Sequence, residues 1–159
     1  MSVEGGDARG ARSVASFDSL PKDEAMFIRY LRLWCAGPDE QSEVWNDIAA
    51  RLGPARGRQA LSTFEDLVGL VLRHARRPIM LHGLTCSCVG ADEAVLAHLV
   101  TLATSGERED AMLIATLLVR ADVSPLVTSL AQSFGLALHR GRTVSADIAS
   151  APPRGRTLH

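Results

Sequence analysis

From about residue 20 onward, apolar side chains recur every three or four positions, and Gly-Pro or Pro punctuation divides them into helix-length blocks. Met26, Phe27, Tyr30, Leu31 and Trp34 form the first stripe. Pro21, Asp23 and Glu24 suit its positive end, and Gly37-Pro38 stops it. A second helix is predicted over 39–52, with Val44, Ile48 and Leu52 on one face before Gly53-Pro54. A third spans about 57–76, turning Leu61, Phe64, Leu67, Val68, Val71 and Leu72 inward, with Arg73, Arg76 and Arg77 at its negative end. Pro78 closes it. Ile79-Met80-Leu81 then reads as a short strand-like or extended crossing, and His82 to Gly90 as a loop.

Asp92 and Glu93 open a fourth helix running to about Thr104, where the dipole alone accounts for both acids. Ser105-Gly106 breaks the chain before a fifth helix from Glu107 to Arg120, built around Met112, Ala115, Leu118 and Val119. Ser124 caps a sixth at Pro125, which runs through Leu126, Leu130 and Phe134 to about Leu138. The expected fold is all-α: a compact bundle of about six helices with a short extended Cys-containing loop. Residues 1–19 and 141–159 are rich in Gly, Ser, Ala, Arg and Pro and are expected to be disordered tails, the second one basic, around a helical domain over 20–140.

Composition sharpens this picture without naming a function. A chain of 159 residues suits one domain, and its 47% apolar content, mostly Ala, Leu and Val with only 4% aromatics, favours packed helices. Net charge is −1, so no global field draws nucleic acid or an acidic membrane surface. No apolar run approaches the roughly 18 residues of a membrane span, and the N-terminal stretch lacks the apolar core of a secretory signal. A cytoplasmic location is the resulting expectation. Three cysteines, an odd number, point to reduced thiols or metal ligands over a disulfide framework.

Chemistry concentrates in His82-Gly83-Leu84-Thr85-Cys86-Ser87-Cys88. Thiolate and imidazole are the ligands that hold Zn²⁺ in a tetrahedron, and Cys35 at the end of the first helix is the fourth candidate. A Cys35–His82–Cys86–Cys88 set would use every cysteine and pin the first helix to the central loop. Set against it, Cys35 could be a small buried apolar residue and the loop thiols incidental. The same residues could hold an iron–sulfur cluster, though the spacing matches no ferredoxin pattern. A strained Cys86–Cys88 disulfide would instead make the loop a redox sensor.

His74, His98, His139 and His159 carry less weight, being helix-surface or tail residues. Arg51, Arg56, Arg58, Arg73, Arg76 and Arg77 could form a phosphate-contacting face, with Arg58, Gln59, Ser62 and Thr63 as base readers, but a solvated basic face is the commoner meaning of such clusters in a chain of slightly negative charge. No phosphate loop, nucleophile elbow or paired helical histidines support catalysis. A Cys86–His82 nucleophile–base pair lacks a visible orienting group. The leading expectation is a non-enzymatic regulatory or adaptor protein with a zinc site that binds a macromolecule, in the first place a protein. A DNA-binding or interaction regulator using the arginine face follows, and then a thiol redox sensor.

Overall fold

The computed structural model describes residues 8–150, so the parts of both expected tails at 1–7 and 151–159, including His159, lie outside the described residues. Helix α1 (Ala8–Ala11) leads into strand β1 (Ser13–Ser16) and a 3-10 turn at Phe17–Ser19. Six longer helices follow: α2 (Lys22–Ala36), α3 (Pro38–Leu52), α4 (Pro54–His74), α5 (Ala91–Thr104), α6 (Arg108–Leu118) and α7 (Ser124–Ser150). Strand β2 (Cys88–Gly90) pairs antiparallel with β1, Ser13 opposite Gly90 and Ser16 opposite Cys88. The all-α bundle expected from the periodicity is what the chain forms, with this small ribbon added. No helix among the described residues is long and apolar enough to cross a membrane.

Sequence punctuation places the breaks well. Gly37, Gly53 and Gly106 all take positive φ between helices, at 155°, 81° and 85°. Three segments depart from expectation. Residues 8–19 are structured, because β1 borrows β2 as its ladder partner and the Phe17 amide donates to Ser87 O at 2.8 Å. Helix α7 continues to Ser150, well past Leu138, through a stretch with no Pro, and Gly141 within it packs against Leu52 of α3. Residues 79–81 do not join a sheet. The strand lies at 88–90 instead.

Helix α2 supplies a large share of the core. Phe27, Ile28, Tyr30, Leu31, Arg32 and Leu33 are all buried, leaving Arg29 as the exposed residue of that run. Its aromatics meet α4 and α7 in one cluster. The ring of Phe64 lies 6.1 Å from Phe27, 6.2 Å from Tyr30, 5.7 Å from Trp34 and 5.0 Å from Phe134. Most of these contacts are edge-to-face, the geometry that ring quadrupoles favour. Helices α5 and α7 close the bundle, with Ala97, Val100, Ala103, Ala131 and Phe134 in the same core.

Because Phe64 touches four other rings, Phe64→Ala should cost about 3–5 kcal/mol of unfolding free energy, the usual range for a large buried aromatic. Urea denaturation followed by circular dichroism checks this. A loss below about 1 kcal/mol would show that the cluster is not the centre of the core.

Candidate functional site

An arginine on a helix buried on almost every side must find acceptors inside the protein. Arg32 finds five, one for each guanidinium N–H. Nε and Nη2 donate to Glu93 at 2.7 and 2.8 Å, Nη1 to the Gly83 and Cys86 carbonyls at 3.1 and 2.7 Å, and Nη2 to the Cys88 carbonyl at 2.7 Å. The guanidinium carbon also stands 5.0 Å from the centre of the Phe17 ring. One buried cation therefore gathers α2, α5, the 83–88 loop and the N-terminal segment.

Glu93 completes the arrangement from the other side. It is fully buried, and its oxygens accept the His82 amide at 3.0 Å and the Gly90 amide at 2.9 Å, besides Arg32. The Gly90 contact is the half of a capping box that an N-cap glycine still permits. Burial pushes the Glu93 carboxyl up, but the hydrogen bonds from Arg32, Gly90 and His82 and the guanidinium charge outweigh it, so its pKa lies below the ordinary value. Its neighbour Asp92 repeats the pattern: Arg77 grips both oxygens at 2.9 and 2.7 Å, and the Met80 amide donates at 2.9 Å. The two acids that a helix dipole appeared to explain are in fact the partners of the whole 77–90 segment. The Met80 and His82 amides, which lie outside any sheet, are satisfied by these carboxylates.

The chemically active residues sit on this frame. Cys86 Sγ lies 3.4 Å from His82 Nδ1, while His82 Nε2 lies 2.6 Å from the Ala11 carbonyl. A carbonyl oxygen only accepts, so Nε2 carries the proton and Nδ1 presents its lone pair to the thiol. The orienting group that the sequence did not reveal is this backbone carbonyl, supplied by α1. Gly90 lets the imidazole in, since a Cβ there would stand 3.1 Å from the ring. Gly10 similarly lets α1 settle on the Arg77–Asp92 pair, where a Cβ would come within 2.2 Å of Asp92 Oδ2. A cleft of about 360 Å³ opens beside Cys86, bounded by Phe17, Arg29, Glu43 and Leu84.

Neither a family model, nor a curated protein, nor a solved structure matches this chain.

Of the four residues expected to share a metal, His82 and Cys86 are brought together. Cys88 lies on β2 with its carbonyl bound to Arg32, and Cys35 is exposed on the last turn of α2, where partial desolvation pushes its thiol pKa up. Among the described residues, no group of three or more His, Cys, Asp or Glu side chains is placed to hold an ion. The arginine face is largely engaged within the fold. Arg51 donates to Asp47, Arg73 to the Gly69 carbonyl, Arg76 to the Thr116 and Val119 carbonyls, and Arg77 to Asp92. Of the remaining histidines, His98 faces Glu24 at 3.9 Å on the surface and His139 touches Arg142 at 3.3 Å.

Arg32 and Glu93 are the site residues that stripe-reading passed over. A signal was present: Phe27-Ile28-Arg29-Tyr30-Leu31-Arg32-Leu33-Trp34 is apolar on every side, so one of its arginines had to be buried and needed an acid.

Glu93→Gln removes the charge that compensates Arg32 and should cost about 3–5 kcal/mol at neutral pH. A depressed carboxyl pKa stabilises the fold above its unfolded value, and that stability is lost as pH falls through the folded one. The gap between wild type and Glu93→Gln should therefore be full at pH 7 and narrow in acid below about pH 4.5. Denaturation at stepped pH checks it, and a gap that is constant with pH would contradict the assignment.

Proposed function

We propose that this protein is a non-enzymatic helical regulator whose responsive group is the Cys86–His82 pair, and that the state of this thiol governs binding to a protein partner. The observation that carries the reading is the oriented contact itself: Nδ1 faces Sγ at 3.4 Å because Nε2 is held by Ala11. In the reducing cytoplasm the thiol stays free until an oxidant or electrophile arrives. With hydrogen peroxide, Cys86 passes its proton to Nδ1 and the thiolate sulfur attacks one peroxide oxygen. The S–O bond forms as the O–O bond breaks, and the departing oxygen takes up the proton and leaves as water. The product is a sulfenic acid, about 16 Da heavier.

Two features link that change to binding. The Cys86 carbonyl is an acceptor of Arg32, so added bulk at Sγ strains the loop's hold on the buried cation. Val14 on β1 and Leu84 on the loop are 54% and 46% exposed, large apolar side chains on the elements that would shift. They are the contacts we assign to a partner.

The same pair favours one other reading, zinc. Bonds of roughly 2.3 and 2.0 Å at a tetrahedral angle put a thiolate sulfur and an imidazole nitrogen about 3.5 Å apart, close to the separation here. A second nitrogen bound to a carbonyl is also the usual outer support of a metal-ligating histidine. Cys88, two residues along, and Cys35 would be the further donors.

Alkylation kinetics with peptide mapping test the leading proposal. Iodoacetamide should modify Cys86 faster than Cys35, whose desolvated thiol disfavours the thiolate, and His82→Ala should slow Cys86 by about tenfold or more. Equal rates at the two sites, unchanged by His82→Ala, would overturn it. About one equivalent of zinc in the purified protein, lost in Cys86→Ser, would favour the metal reading instead.

A further inference from the structure

At the α3–α4 turn Arg51 is engaged by Asp47, whereas Arg56 is not, and the fold brings it to one cleft with an arginine far along the chain. Arg56 in the first turn of α4 and Arg140 on α7 line one cleft of about 430 Å³, and neither guanidinium has a hydrogen bond or ion pair among the described residues. The cleft forms because α7 runs tight against the end of α3. A Cβ on Gly141 would stand 2.3 Å from Leu52 Cδ2, so the glycine allows the approach that sets Arg140 facing α4.

The rest of the lining is one-sided in its chemistry. Gln59 and Ser133 add neutral donors, Leu52 and Leu136 add an apolar wall, and no Asp or Glu lines the cleft. Two like charges facing a shared space without a counter-ion repel each other, and a dianion between them relieves that repulsion. Guanidinium groups match phosphate oxygens in geometry as well as charge. The volume lies within the range of small-molecule sites.

We infer that this cleft binds a small organic phosphomonoester, with Arg56 and Arg140 holding the dianionic phosphate, Gln59 and Ser133 adding hydrogen bonds, and the organic group lying on Leu52 and Leu136. A monoanionic carboxylate would satisfy only one of the two arginines. The site is independent of the Cys86–His82 pair and is built from different elements.

Titration of the full chain with phenyl phosphate, followed by amide chemical shifts, tests the inference. Saturable binding should perturb the Arg56–Thr63 and Ser133–Arg140 segments, weaken steeply with added salt, and fall by about tenfold in both Arg56→Gln and Arg140→Gln. Both side chains are exposed, so neither substitution disturbs the core. Inorganic phosphate should bind the same segments more weakly, lacking the apolar contact. No saturable shift by about 10 mM phenyl phosphate, or affinity unchanged in either variant, would overturn the assignment. So would tight duplex DNA binding through these arginines with phenyl phosphate silent, since that would make them part of a nucleic-acid surface.

Discussion

A guanidinium inside a helical bundle is tolerable only if every donor has an acceptor and its charge has a counter-charge. Arg32 meets both conditions, and the remainder of the central loop follows from how it does so. Three of its five bonds go to main-chain carbonyls of the 83–88 loop and two to Glu93, whose own oxygens then collect the amides of His82 and Gly90. A buried ion pair of this kind contributes little net stability compared with a well-packed apolar pair. What it supplies here is a unique path for a segment that has almost no regular structure. Main-chain groups that would otherwise be unsatisfied indoors are matched to the one arrangement of side chains that can take them.

That path is what sets the thiol and the imidazole face to face. His82 leaves the Glu93 contact at its amide with its ring directed at Ala11, and Cys86 leaves the Arg32 contact at its carbonyl with its sulfur directed at the ring. The N-terminal segment is part of the same construction. It lends the Ala11 carbonyl, the β1 ladder and the Phe17 ring, and it can do so because Gly10 and Gly90 have no side chains to keep the elements apart. Chemistry at one sulfur is thus wired to a charge pair between two helices.

The helices were legible because their stability lies in periodic burial, which a linear pattern records directly. Phe64, Val44 and Leu67 fell on inward faces and are buried. Gly37 and Gly53 marked turns and take positive φ. The loop was legible only as a concentration of reactive residues. Its partners lie some 50 residues upstream or just beyond its end, and in the sequence a helix dipole accounts for Asp92 and Glu93 without any loop to bind. The same limit applied to β1, a four-residue strand whose reason for existing is a three-residue strand far along the chain. The arginines are opaque for a related cause: composition shows how many there are, whereas only the fold shows that Arg51, Arg73, Arg76 and Arg77 have internal acceptors.

If carboxylates really do serve as the ladder for this segment, native-state hydrogen exchange should see it. The amides of Met80, His82 and Gly90, two of them in coil, should exchange as slowly as amides in the core of α5, opening only with the whole molecule. The exposed Leu84 amide within the same loop should exchange fast. Rapid exchange at His82 and Gly90, matching Leu84, would mean that Glu93 does not hold the loop and that Arg32 is not its anchor.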